Sequence, residues 1–285
     1  MIKNNYHTHM RYCNHAQGEV EDYILKAIEL GFDEIGMTDH APILESFMTK
    51  EEYDSNWCEQ NMKLDIMEKY LDDLDYCKKK YGNKIKILSG FETEFLPDQI
   101  EFYKFLRGKV DYLNLGVHYY KYNGKVLNSY DDIDYITLRG YVDACIDGMK
   151  TGLFNTLVHP DLFMFNYKNV NGERKFDAQA IAASRQIIEA AIKYNVYLEV
   201  NANGINNSIK YGSGNDWLYP YLDFWKIANE YKDLKIIIGA DAHKPEAMAN
   251  EHVQIACDFC IENNINILEK MEINHWWRNI FLKVD

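Results

Sequence analysis

The segment LKIIIGADAH, residues 234–243, runs from a lysine into three isoleucines, crosses one glycine and ends on an aspartate and a histidine two positions apart. An uninterrupted β-branched run of this kind reads as a strand buried on both faces, as in a parallel sheet. Side chains at i and i+2 of a strand leave the same face, so Asp241 and His243 are delivered together. Six other segments repeat the plan: IKNNYHTH (2–9), FDEIGMTDH (32–40), KIKILSGFETEF (84–95), VDYLNLGVHYY (110–120), FNTLVHPD (154–161) and VYLEVNAN (196–203). Each starts apolar and ends polar, at His7/His9, Asp39/His40, Glu92/Glu94, His118, His159/Asp161 and Glu199/Asn201.

Between these runs lie segments of helical period. GEVEDYILKAIELG (18–31) is an amphipathic helix that stops at Gly31 as its C′ residue. Further helices are expected over 59–81, 97–107, 133–151, 177–194, 220–231 and 245–263. Strand–helix alternation repeated seven times implies a parallel sheet with helices outside it, and seven units in 285 residues suit a closed barrel better than an open sheet. No repeat, low-complexity tract or Pro/Ser-rich linker interrupts the chain, so 1–285 reads as a single domain. In a parallel barrel the C-terminal strand ends meet on one face, where active sites form. Seven distant segments would thus bring their histidines and carboxylates to one place.

Composition narrows the function. No apolar run approaches the ~20 residues that span a bilayer, and MIKNNYHTHMRY lacks the apolar core of a signal peptide. The expectation is a soluble cytoplasmic protein with no membrane partner. A net charge of −13 disfavours binding to nucleic acid. It leaves room for a small phosphorylated substrate held at a cationic site inside a pocket. Six cysteines without a secretory signal read as reduced thiols. Cys257 and Cys260 form a CxxC in a helical run and belong in the core at i, i+3. No second CxxC completes a zinc knuckle.

Imidazole and carboxylate together are the ligand set of Zn, Mn or Fe rather than of calcium or a thiolate site. His7, His9, His15, His40, Glu92, His118, His159, Asp241 and His243 are too many for one ion and fit two or three, with Glu92 able to bridge. His252 and His275 sit in helical context away from any strand end and are not expected to be ligands. Asp39 is placed to orient an imidazole by a hydrogen bond. Cys13 lies among the candidates but at neither a strand end nor a helix N-terminus.

The motifs HTHMRYCNH, TDH, GFETEF, GVHYY, HPD and GADAH, in this order, resemble the PHP (polymerase and histidinol phosphatase) superfamily from residue 4 to about residue 245, most nearly its stand-alone histidinol-phosphate phosphatases. The resemblance implies a distorted (β/α)7 barrel, TIM-like, with a trinuclear metal site. One ion would take His7, His9, Glu92 and Asp241; a second would share Glu92 and add His118 and His159; the third would take His15, His40 and His243. The implied activity is hydrolysis of L-histidinol phosphate to L-histidinol and phosphate, a step of histidine biosynthesis, by a metal-bridged hydroxide. The alternative is a PHP phosphoesterase for another small phosphate ester or a nucleotide.

Substrate contacts follow from chemistry. Asp161 is either a general acid or substrate contact, or a turn-capping aspartate. Arg11 is either a planar fork for phosphate or a solvated loop residue. Glu199 and Asn201 could receive an ammonium and an imidazole, or fill the barrel interior. The chain departs from its relatives in GINNSIKYGSGNDWLYP (204–220), where Ile205 and Asn206 stand in place of a Leu-Arg pair; Lys210 is a nearby but different donor. The Gly, Asn and Ser content of 202–220 suggests a mobile lid. Two other classes fit less well. A proofreading-type module serving a polymerase conflicts with the acidic charge, and a deaminase of the amidohydrolase type needs a carboxylated lysine or an equivalent bridge.

Overall fold

A computed structural model describes residues 2–273 apart from 45, 47, 56–57, 132 and 213–216; His275 lies outside the described residues. In chain order the strands are β1 (Asn4–Asn5), β2 (Glu34–Met37), β3 (Lys86–Thr93), β4 (Tyr112–Leu115), β5 (Tyr119–Tyr122), β6 (Lys125–Asn128), β7 (Thr156–Leu157), β8 (Tyr197–Asn201) and β9 (Ile236–Gly239). The helices are α1 (Val20–Glu29), α2 (Lys50–Ser55), α3 (Met67–Tyr81), α4 (Ile100–Lys109), α5 (Leu138–Lys150), α6 (Ala178–Tyr194), α7 (Ala202–Tyr211), α8 (Leu222–Ala228) and α9 (Glu251–Glu262).

Seven strands pair in parallel in the order β1-β2-β3-β4-β7-β8-β9. The two edges meet where Thr8 bridges Ala242 in parallel, with the His9 N–H donating to the Ala242 carbonyl at 2.8 Å. Tyr23 of α1 lies across this seam and donates its hydroxyl to the carbonyls of His9 and Ala242. The result is the expected seven-stranded barrel, nearly closed, with its helices outside. The main core fills the layer between sheet and helices. A second apolar cluster of Tyr6, Leu88, Tyr112, Tyr197, Ile237 and Met271 plugs the opposite end of the barrel from the site. Met271 N–H donates to the Tyr6 hydroxyl at 3.2 Å and Glu272 N–H to the Tyr197 hydroxyl at 2.9 Å, which ties the segment after α9 beneath that plug.

Local chemistry explains most boundaries. In α1, Val20, Tyr23, Ile24 and Ala27 are buried at i, i+3, i+4 and i+7, Glu19 and Asp22 form a reciprocal capping box, and Gly31 takes a φ of 71° beyond the end. Asp177 caps α6 by accepting from the N–H groups of Gln179 and Ala180 at 3.0 and 3.1 Å. Cys257 and Cys260 are both buried on α9, as the helical spacing requires. Among the described residues no helix is long and apolar enough to cross a membrane.

Five expectations differ from what is seen. The helix expected from 245 begins at Glu251, where Asn250 caps it by accepting from Val253 N–H at 3.2 Å, after a 3-10 turn over Pro245–Ala249. The helix expected from residue 59 starts at Met67, because Met62 N–H donates to the His40 carbonyl and the Asn61 carbonyl accepts from Asn14, which draws these residues out of helical pairing. The helix expected from 133 starts at Leu138; Asp134 Oδ1 accepts from the N–H groups of Ile136 and Thr137, both at 2.8 Å, and fixes a turn instead. The strand expected to run to Tyr120 ends at Leu115, and Tyr119–Tyr122 turns outward into an antiparallel hairpin with Lys125–Asn128. Asn123 and Gly124 both have positive φ, 50° and 79°, as a two-residue hairpin turn demands. Finally, residues 202–211 of the expected lid form α7, entered directly from β8: Asn201 accepts from Gly204 N–H at 2.8 Å as the N-cap, and Ala202, Gly204, Ile205 and Ser208 are buried.

Candidate metal centre

All nine expected metal ligands converge at the C-terminal end of the barrel. Glu92, buried at the end of β3, is the hub. Its Oε2 lies 3.3 Å from His7 Nε2, 3.3 Å from His9 Nε2 and 3.2 Å from His40 Nδ1; its Oε1 lies 3.0 Å from His159 Nε2 and 3.6 Å from His118 Nε2. Asp241 Oδ1 stands 3.0 Å from His9 Nε2 and 3.6 Å from His7 Nε2. His15 Nε2 and His243 Nε2 face each other at 3.0 Å, and His118 Nε2 and His159 Nε2 at 3.1 Å. His159 and Asp241 hold positive φ values of 34° and 46°, backbone conformations that non-glycine residues rarely adopt and that concentrate at functional sites.

A surrounding set of acceptors aims the rings. His7 Nδ1 meets Glu199 Oε1 at 2.8 Å, His118 Nδ1 meets Glu94 Oε1 at 2.7 Å, His15 Nδ1 meets the Cys13 carbonyl at 3.1 Å and His243 Nδ1 meets the Asp241 carbonyl at 3.1 Å. With each Nδ1 proton directed to an acceptor, the Nε2 lone pair of all four rings points inward, the arrangement by which metal-binding imidazoles are oriented. Asp39 stands 3.9 Å from His9 Nδ1, too far for a hydrogen bond, although it does accept from the His40 N–H at 2.9 Å.

Protonation directions divide: the carboxylates, His9 and His40 take the form a cation needs, whereas His7 and His118, the latter raised to about 9 by Glu94 and Glu92 against its burial, would have to release a proton to bind one. Burial would raise Glu92 and Asp241, but the facing imidazoles hold both carboxyls well below their usual range. Burial and the nearby His243 push His9 down to about 3, and burial with His9 lowers His40 well below its usual value. Burial opposes charge on His7, yet Glu199, Asp241 and Glu92 outweigh it and raise the ring well above its usual value. Ionised carboxylates beside neutral His9 and His40 are the ligand state a divalent ion requires. His7 Nε2, His9 Nε2 and Glu92 Oε2 are buried without a hydrogen-bond partner, a costly condition that a bound cation would relieve. Three groups bring their ligand atoms within 4.8 Å of one another: His7/His9/Asp241, His9/His40/His243 and His40/Glu92/His118. The residues therefore fit divalent metal. The first group holds three of the four residues expected around one ion, without Glu92; His40 belongs both with His243 and with Glu92 and His118, and His15 and His159 fall in none of the three. His252, beside Asn250 at 3.3 Å, joins none of these groups.

The centre opens into a cavity of about 610 Å³. Of the five expected substrate contacts, Lys210 alone lines it. Arg11 is paired with Glu19 and stacks 5.1 Å over Tyr12, outside the cavity wall. Asp161 is wholly buried, accepting from Tyr221 N–H at 2.5 Å and Trp225 Nε1 at 3.0 Å. Burial pushes its carboxyl up to about 7, its Oδ1 has no hydrogen-bond partner, and it is not among the residues lining the cavity. Glu199 and Asn201 are also buried and face the ligands from behind: Asn201 Nδ2 donates to Glu199 Oε2 at 3.0 Å and to Asp241 Oδ2 at 3.3 Å. They position ligands instead of touching the cavity. Sequence reasoning gave no role to Glu94, Asn203, Asn207, Tyr130 or Phe165. Glu94 was visible as i+2 from Glu92; the aromatics carried no periodic signal, because they come from a hairpin exit and a 3-10 turn.

Comparison with known proteins places this arrangement. The chain is 25% identical over 266 residues to the histidinol-phosphatase of Bacillus subtilis, covering 86% of this chain and 94% of that protein. It is 24% identical over 247 residues to a probable histidinol-phosphatase of Deinococcus radiodurans, covering 84% and 85%. Among solved structures, histidinol phosphate phosphatase of Lactococcus lactis, determined with zinc, L-histidinol and phosphate, superposes with a TM-score of 0.67 at 18% identity over 95% of this chain and 98% of that one, which establishes the shared fold. The PHP domain model matches residues 5–203, more than half of the sequence and most of the ligand-bearing strand ends, and the chain is a member of the PHP domain family.

Proposed function

We propose that the chain, acting as one domain, is a metal-dependent phosphomonoesterase that hydrolyses L-histidinol phosphate to L-histidinol and phosphate in cytoplasmic histidine biosynthesis. The observation that carries this reading is the convergence of nine candidate imidazole and carboxylate ligands at the C-terminal end of the barrel, six of which line a cavity of about 610 Å³. It is supported by relatives named histidinol-phosphatase along most of their length and by the Lactococcus lactis structure, which holds zinc, L-histidinol and phosphate. The finer assignment is three ions drawn from Zn, Mn and Fe, with Glu92 shared between two of them.

Bound ions would supply the positive charge that polarises a phosphoryl group and acidifies an attacking water. The chain's own residues do the rest. Glu92 holds the centre together through both carboxylate oxygens. Glu199, Glu94 and the Cys13 and Asp241 carbonyls fix the imidazole tautomers, so the centre is preorganised before substrate arrives. Lys210 and Asn203, both on α7, line the cavity with N–H donors suited to an anion. Asp161 is assigned a structural role in this reading, since its Oδ2 accepts from Tyr221 N–H and Trp225 Nε1 behind the site.

One observation favours a second reading, a PHP phosphoesterase for another small phosphate. Asn206, at the expected arginine position, is exposed and donates to Asn203 Oδ1 at 3.1 Å, so α7 offers a lysine and amides where an arginine was anticipated. Phosphate release from L-histidinol phosphate by metal-loaded protein, measured beside a panel of small phosphate esters, decides between them. Highest kcat/KM on L-histidinol phosphate is expected; release no faster than the uncatalysed background would overturn the reading.

A further inference from the structure

Opposite the metal centre the cavity wall is aromatic and amide-lined. Phe165 sits among three tyrosines in edge-on or steeply tilted contact: Tyr130 at 5.3 Å and 82°, Tyr211 at 6.1 Å and 69°, Tyr219 at 6.3 Å and 63°. Tyr130 stacks parallel on His118, 5.9 Å away and tilted by 8°, which locks this wall to the metal centre. Asn207 commits its Nδ2 to the Tyr219 hydroxyl at 2.7 Å, leaving its Oδ1 as an acceptor on the wall. Among the described lining residues the carboxylates are Glu92 and Asp241, both turned to the histidines. The formal charge on the opposite wall is Lys210, whose ammonium stands 4.7 Å over Tyr211.

We propose that this wall of Phe165, Tyr130, Tyr211 and Asn207 selects the alcohol part of the substrate by a flat, N–H-bearing ring and not by its ammonium group. The proposal rests on the phosphatase reading and deepens it. An ammonium ion would want a carboxylate, but among the described residues lining the cavity both carboxylates belong to the candidate ligand set, and Lys210 repels it. Edge-to-face rings held on separate elements form a rigid slot, and a planar heterocycle placed in it gains aromatic contact in addition to burial. A ring N–H finds an acceptor in Asn207 Oδ1.

The test compares three esters on the metal-loaded protein: L-histidinol phosphate, its Nα-acetyl derivative, and L-alaninol phosphate, which keeps the ammonium and lacks the ring. Expected are a kcat/KM within about threefold of the parent for the acetyl ester and a loss of about tenfold or more for the ring-less ester, mostly in KM. Phe165→Leu should shrink the ratio between parent and ring-less ester towards one, and Phe165→Tyr should restore it. The inference is overturned if acetylation costs more than removal of the ring, or if Phe165→Leu leaves the ratio unchanged. Should none of the esters be hydrolysed, the phosphatase reading fails alone, and calorimetric titration of wild type and Phe165→Leu with L-histidinol and L-alaninol still decides the slot. Preference for L-histidinol that Phe165→Leu abolishes supports it; equal binding refutes it.

Discussion

Glu199→Gln is the most discriminating perturbation of the centre, because it removes a charge while keeping size and shape. Glu199 accepts through both oxygens: Oε1 from His7 Nδ1 at 2.8 Å, and Oε2 from Asn201 Nδ2 at 3.0 Å and His159 N–H at 3.2 Å. A glutamine has one acceptor oxygen and one donor nitrogen. If the nitrogen takes the second position it meets two donors, and Asn201 cannot turn to help, since its Oδ1 is the N-cap of α7. If the nitrogen takes the first position it faces Nδ1, and His7 must move its proton to Nε2, the atom needed for metal. The former orientation strands buried donors, at about 1–3 kcal/mol; the latter occupies the nitrogen that would bind metal. Changes of this kind behind a metal-bound histidine cost about 10–100-fold in affinity or activity, or about 1.4–2.8 kcal/mol. Metal content of wild type and variant, measured by elemental analysis after dialysis against graded chelator, should show one ion lost at about 10–100-fold lower chelator strength. The reasoning is refuted if the variant keeps its metal at the same chelator concentration and turns over as fast as wild type.

Other outcomes follow from single contacts. A Cβ on Gly239 would fall 1.6 Å from Glu199 Oε1, so Gly239→Ala should mimic the Glu199 variant in metal retention while adding an overpacking cost of about 1–3 kcal/mol, read by thermal unfolding. His15→Ala should reduce metal stoichiometry by one ion of the proposed three; unchanged stoichiometry would remove His15 from the ligand set. Asp161→Ala deprives Tyr221 N–H and Trp225 Nε1 of their acceptor and should lower stability by about 1–3 kcal/mol in denaturant titration, with kcat/KM within about threefold of wild type. Burial raises Asp111, but Lys78 at 2.7 Å and the Ser89 N–H at 2.9 Å outweigh it and hold the carboxyl below its usual value. The folded pKa lies below the unfolded one, so this stabilisation is complete above roughly pH 4 and fades as pH falls through the folded value. Asp111→Asn should therefore lower the unfolding midpoint at neutral pH, with the gap to wild type narrowing in acid.

Much of the barrel was legible because burial on both faces writes itself into the chain. Ile236–Ile238 can only be a strand covered by helices, and Val20, Tyr23, Ile24 and Ala27 can only be one face of a helix. What escaped was set by contacts between distant residues. Asn61 and Met62 have helical surroundings in sequence but pair with Asn14 and His40. Gly and Asn in 202–211 suggested a loop, yet Asn201 caps a helix there, and Gly204 lies under the Tyr219 ring, 2.3 Å from where a Cβ would be. The hairpin at Asn123-Gly124 did carry a local signal, since that dipeptide between two Tyr- and Val-bearing runs is a two-residue turn.

At the site, residue type and strand-end position brought out the candidate ligands but could not separate a candidate ligand from the group that aims it. Glu92 and Glu94 show why. They lie two residues apart at the end of β3, so side-chain alternation sends both to the same face. A strand advances about 3.3 Å per residue, which lifts Glu94 about 6.6 Å further along the barrel axis than Glu92. At the lower level Glu92 meets five imidazoles and serves as the hub. One level up, Glu94 meets His118 Nδ1 and the N–H groups of His118 and Tyr119, at 2.7, 2.8 and 3.1 Å, so its oxygens are spent on orienting a ligand. Glu199 is diverted by the same logic: the ring edge it reaches is Nδ1 of His7, the side away from the cavity. The chemistry of a carboxylate here is decided by height in the barrel and by which nitrogen it finds. Substitution of Glu92 in β3 and of Glu94 just beyond it should accordingly differ in kind by elemental analysis, Glu92→Lys lowering the total metal content and Glu94→Gln loosening only the ion that His118 would hold.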